Sequence, residues 1–173
     1  MKLGTKSLLF GAHQFIIHPI IVFICWWKLY GFPFDPRLWI AFVIHDWGYW
    51  GLNDMDGPNG KMHPLFAARI MGKLFGTRWF IMCYYHSRFL AKRERSIPSK
   101  LCYADKLSIV VEPSWLYLPR VKLSGELKEY MEEGSVGLHL PSGTTPPQWH
   151  RALKEYMTLW IKAKMAFYKE HES

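Results

Sequence analysis

Helix-length apolar segments alternate with Gly, Pro, Asn and Asp turn signals along the chain, a pattern that predicts an all-α fold. A first helix is expected to begin at Pro19 and end near Gly31, because proline suits the first helical position and disfavours helical geometry in the residue before it. Asp35-Pro36 is a helix-start signature. The segment from Arg37 to Trp50 that follows is apolar on nearly every face, so a helix buried in the middle of the fold is expected there. The stretch from Gly51 to His63 is too rich in Gly, Asn, Asp and Pro to be regular, and reads as a turn-rich lid held by Asx turns. Pro64 opens a short helix to about Phe75, Gly76-Thr77 introduces another to about Lys92, and Ser99 caps a helix from Lys100 to about Val111. Pro113 to Leu123 reads as an aromatic connector, Gly125 to Glu133 as a short helix, and Gly134 to Pro147 as a loop. The last helix, from about Pro147 to Glu170, places Trp149, Leu153, Tyr156, Met157, Trp160 and Ile161 on one stripe, expected to pack in the core.

The 173 residues, half of them apolar, suit one domain with a real core, in which 113–173 form a C-terminal extension packed on the rest. This composition excludes a disordered, collagen-like or disulfide-stapled chain. A net charge of +8 implies attraction to phosphate, nucleic acid or acidic lipid without choosing among them. Cys25, Cys83 and Cys102 lie in apolar runs without metal-type pair spacing, and read as buried, reduced thiols of a cytoplasmic protein. Between Ser7 and Trp27 the apolar pattern is interrupted by His13, Gln14, His18 and Pro19, so a core helix rather than a membrane span is expected, and no signal-peptide cleavage pattern follows.

Candidate chemistry comes from histidines at the predicted helix ends or buried faces. His18, His45, His63 and His86 are accompanied by Asp46, adjacent to His45, and by Asp105, both in apolar surroundings where an unpartnered carboxylate is costly. Buried carboxylates with several imidazoles make a metal-site composition. His18 and His63 each precede a proline at an expected helix start, where the positive end of the helix dipole disfavours imidazolium. His13 is an alternative to His18 as the first ligand.

The ordered set His18, His45-Asp46, His63, His86 and Asp105, with Ala104-Asp105-Lys106 around the last, resembles the HD-domain superfamily of metal-dependent phosphohydrolases over roughly residues 13–112. The resemblance implies a helical bundle and one or two divalent ions, with manganese, iron, cobalt, nickel and zinc all compatible. It would make His18, His45, Asp46 and Asp105 ligands of one ion and His63 and His86 ligands of a second, with Asp46 bridging. The chain departs from two subgroups: Tyr49 stands where the mononuclear nucleotidases carry glutamate, and where the cyclic-dinucleotide phosphodiesterases, which share Gly48, usually carry lysine.

The implied activity is hydrolysis of a phosphate ester or anhydride of a nucleotide-like small molecule, with Asp46 catalytic. Nucleic acid is a less favoured partner. Arg88, Lys92 and Lys106 are candidate phosphate-binding residues within a basic stretch. Tyr49, like Trp47 and Trp50, is a candidate for stacking on a base or sugar, although at least two of these three are expected in the core. A diiron oxygenase of the same family, or a metal-stabilised binding module, are the alternatives.

Overall fold

The computed structural model describes residues 1–171, apart from the side chains of 133–136 and 167–171. Among the described residues there is no strand, and ten α-helices carry the fold: α1 (Leu3–Phe10), α2 (Ile17–Tyr30), α3 (Pro36–Ile44), α4 (Pro64–Phe75), α5 (Thr77–Tyr84), α6 (Arg88–Arg93), α7 (Lys100–Val111), α8 (Ser114–Ser124), α9 (Glu126–Leu138) and α10 (Pro146–His171). Single 3-10 turns occur at Trp47–Tyr49 and Gly60–Met62.

Local chemistry explains most of the boundaries. The Asp35 carboxylate accepts from the Arg37 amide at 2.9 Å with Pro36 in the first turn, and Ser99 caps α7. Gly76, at φ +87°, gives the sharp reversal between α4 and α5 that a side chain would strain. Two expectations are corrected at the start of the chain: α1 precedes the helix expected first, and that helix begins at Ile17, with Pro19 inside its first turn.

The Arg37–Trp50 helix is also corrected. It ends at Ile44, and Trp39, Ile40 and Val43 on its outer face are exposed. The chain turns at His45-Asp46 because Gly48 passes directly against the backbone of His63, where a Cβ would collide with the carbonyl. Further on, Pro113–Leu123 is helical as α8, with Pro119 inside, and α9 runs to Leu138 rather than stopping at Glu133.

The principal core joins α2, α3, α4, α5 and α7 through Val22, Cys25, Phe42, Met71, Cys83 and Leu101. A second core, around Tyr117, Val121 and Trp149, lies under α8, α9 and α10, and α10 also packs on α7. The three cysteines are free and buried, and burial raises each thiol to about 12, which leaves them inert at neutral pH.

Glu126, fully buried, ties the chain's N-terminus to the second core. Its carboxylate accepts from Ser7 Oγ at 2.6 Å, the Ala12 amide at 3.0 Å, Ser124 Oγ at 2.5 Å and Tyr130 Oη at 2.8 Å. Burial alone would raise its pKa, but His13 nearby and the hydroxyl donors outweigh that and bring it down to about 2. Because the folded value lies below the unfolded one, this carboxylate stabilises the fold fully above about pH 4.5, and the contribution disappears as pH falls through about 2. Glu126→Gln is therefore expected to cost on the order of 3 kcal/mol at pH 7 and to lessen the acid dependence of unfolding. Denaturant titrations of both proteins between pH 7 and pH 2 measure this, and parallel stability profiles across that window would count against it.

A candidate metal centre

Five segments bring the six predicted ligands together. His18 projects from the first turn of α2, Asp105 from the middle of α7, and His45-Asp46 from the turn after α3, while His63 immediately precedes α4 and His86 follows α5. The donor atoms of His18, His45, Asp46 and Asp105 lie within 4.8 Å of one another, as do those of Asp46, His63 and His86. Asp46 belongs to both groups. Its Oδ2 faces His18 and His45 at 3.1 and 3.0 Å, and its Oδ1 faces His63 and His86 at 3.3 and 3.4 Å.

The imidazoles are oriented by a local device used three times. Nδ1–H of His45 donates to the carbonyl of Phe42 at 2.9 Å, that of His63 to Gly60 at 2.7 Å, and that of His86 to Cys83 at 2.5 Å. Each bond spends the ring proton on a backbone acceptor three residues back and leaves the Nε2 lone pair facing the cluster. Two such nitrogens, on His63 and His86, then meet at 3.0 Å, and His18 Nε2 lies 3.2 Å from His45 Nε2. Lone pairs this close repel unless a proton or cation lies between them. Asp46 Oδ2 is buried and receives no hydrogen bond despite its imidazole neighbours, as expected of an oxygen directed at an ion. The donor set therefore fits a divalent cation.

Electrostatics divide the cluster. Burial would raise the pKa of Asp46 and Asp105, but His45 beside the first and Lys106 beside the second hold both well below the usual carboxylate range. Against burial, the two carboxylates raise His18 and push His45 up to about 10. His63, where burial outweighs the Asp46 carboxylate and the neighbouring His86 acts in the same direction as burial, is pushed down to about 4. A proton on His45 thus balances the carboxylates when no cation does, whereas His63 is neutral at pH 7.

A cavity of about 370 Å³ borders the cluster and is lined by His18, Asp105, Lys106, Arg88 and Tyr49 among others. Lys106 Nζ lies 2.8 Å from Asp105 Oδ2. Arg88 lies over the rings of Trp160 and Tyr156 at 5.1 and 5.8 Å, so part of the α10 stripe expected in the core instead holds a cavity cation. Lys92 does not join them: it is exposed and absent from the cavity lining. Tyr49 is buried and stacks on His63 at 3.9 Å, while Trp47 and Trp50 are exposed, so only one of these three aromatics is in the core. His13 is not among the residues whose donor atoms converge; its Nδ1 pairs with Ser7 Oγ at 2.8 Å, and it lines the cavity.

Asp56, Glu112, Tyr117 and Tyr130 also line the cavity and were not singled out by the sequence. The Gly51–His63 loop presents Asp56 because Glu129 of α9 accepts from the Met55 and Asp56 amides, at 3.0 and 2.9 Å, while Asp54 accepts from the Gly60 amide. The Asp54 bond spans six residues and is a loop-closing contact rather than the expected Asx turn, and the anchor from α9 depends on tertiary structure.

Compared with family models, curated proteins and solved structures, the chain matches none. The site is therefore read from its own geometry: a buried His/Asp cluster suited to metal binding, within an all-α fold.

Elemental analysis of protein purified from metal-supplemented medium tests the division of labour. His86→Ala is expected to lose the ion held on the His63 side and keep the other, whereas Asp46→Ala loses both. Gly48→Ala, which forces the His45-Asp46 turn away from His63, is expected to lower metal content with every donor still present. Full occupancy in Asp46→Ala would remove that residue from the site.

Proposed function

We propose that the protein is a metal-dependent phosphohydrolase of the HD type, acting on a phosphate ester or anhydride of a small, nucleotide-like molecule. The observation that carries this reading is the shared carboxylate: Asp46 faces two imidazole groups on opposite oxygens, beside a cavity that also presents Arg88 and Lys106. When bound, divalent cations supply Lewis-acid polarisation and lower the pKa of water.

The residues of the chain do the rest. Lys106 stays protonated because the Asp105 charge outweighs its burial, and together with Arg88 it offsets charge on the phosphoryl oxygens. Attack by water forms one P–O bond and breaks another, and the departing oxygen needs a proton. Asp56 is the carboxyl we assign to provide it: it lines the cavity with its pKa raised by burial, whereas Glu112, raised likewise, is paired with Arg120. Tyr117, Tyr130 and the aromatics of α10 wall the cavity and restrict water.

Metal-stripped protein reconstituted in turn with manganese, iron, cobalt, nickel and zinc, and screened for phosphate release from nucleotides and sugar phosphates, tests the reading. Turnover is expected to fall at least a hundredfold in Asp46→Asn and about tenfold or more in Lys106→Met. Asp56→Asn is expected to slow alkyl phosphates far more than a nitrophenyl ester, whose leaving group needs no proton. Two ions per chain with no phosphate released from any substrate, but oxygen consumed by the iron-loaded protein, would replace hydrolysis with oxygenase chemistry.

A further inference from the structure

The face opposite the principal core on α2 and α3 is apolar, and neither the metal cluster nor its cavity accounts for it. On α2 and the residue before it, Ile16, Ile20, Ile24 and Trp27 form an exposed stripe at helical spacing. Ring contacts continue that stripe onto α3: Trp27 meets Phe32 at 5.5 Å, and Phe32 meets Phe34 at 4.9 Å and Trp39 at 6.1 Å. Phe34 is 86% exposed and Trp50, beyond α3, 64%. Apolar surface of this extent on a folded chain marks an interaction surface.

The half of the chain that carries this face is basic, and that charge points to the partner. Residues 1–93 carry eleven Lys and Arg against four Asp, whereas the remainder is nearly balanced. Of those four acids, Asp46 is in the cluster, Asp35 pairs with Arg37, Asp54 accepts from Gly60 and Asp56 lines the cavity, while Lys28 stands exposed next to Trp27. Two copies of so basic a half repel each other, and an anionic surface attracts it. No helix among the described residues is long and apolar enough to cross a bilayer, so the stripe suits a position in the plane of the interface, where tryptophan is favoured.

We propose that the α2–α3 face docks in plane on an anionic lipid bilayer, with Trp27 and Trp39 in the headgroup region. The surface stands independently of the phosphohydrolase reading, since neither the metal ligands nor the charged cavity contributes to it.

Co-sedimentation of the full chain with phosphatidylcholine vesicles containing about one third phosphatidylserine, and with phosphatidylcholine alone, tests the proposal. Binding to the anionic vesicles is expected, weakened by salt and reduced about tenfold or more in the double variant Ile20→Gln/Trp27→Gln. Helical circular dichroism and metal content report whether that variant is folded. Lys28→Glu provides a second, electrostatic test and is expected to weaken binding without altering the apolar stripe. Failure to bind either vesicle overturns the proposal, as does equal binding by wild type and both variants. A concentration-dependent dimer dispersed by the double variant, with no vesicle binding, assigns the face to self-association and overturns it too. Phosphate release from soluble substrates is scored separately, so loss of either reading leaves the other standing.

Discussion

A carboxylate buried among imidazoles, Asp46, sets the terms for the structure around it. Burying a carboxylate is costly unless positive charge lies close by, and here the positive charge comes from protonated His45 or from a cation in its place. Meeting that demand requires the start of α2, the end of α3, the approach to α4 and the end of α5 to arrive at one point, with α7 supplying the second acid. The principal core of Val22, Phe42, Met71, Cys83 and Leu101 lies behind those helix ends and fixes their spacing.

The histidines and aspartates that converge on Asp46 were legible in the chain because their types and order carry the information. The all-α class was legible because turn residues punctuate helix-length apolar runs. What the chain concealed depended on partners distant in sequence. The turn at His45-Asp46 follows from Gly48 meeting the backbone of His63, a contact that no local pattern announces. Glu126 reads as an ordinary helix-start acid, yet it collects donors from Ser7 and Ala12 more than a hundred positions away. Pro113–Leu123 looked irregular because proline and aromatics weaken helix propensity, whereas packing of Tyr117 and Val121 under α10 supports α8. Lys92 and Lys106 carry the same charge within one basic stretch, and only the turn of the chain between α6 and α7 separates the solvent-facing residue from the one beside the cluster.

The C-terminal third contributes to the site rather than merely covering it. Trp160 and Tyr156 hold the Arg88 guanidinium at the cavity wall, and Glu129 of α9 fixes the backbone on which Asp56 sits. The ligands of the cluster come from the first two thirds of the chain. The groups available to grip whatever enters the cavity depend on the last third, so the two regions are coupled through the substrate they would share.

The repeated bond from Nδ1 to a carbonyl three residues back bears on ion choice. Three of the four imidazoles are aimed by their own backbone before anything binds, so little rotational freedom remains to be surrendered on capture. A scaffold so stiff has limited means of contracting around a smaller ion or relaxing around a larger one. Discrimination among divalent metals at such a site would then rest on radius and preferred polyhedron, with side-chain adaptability playing little part.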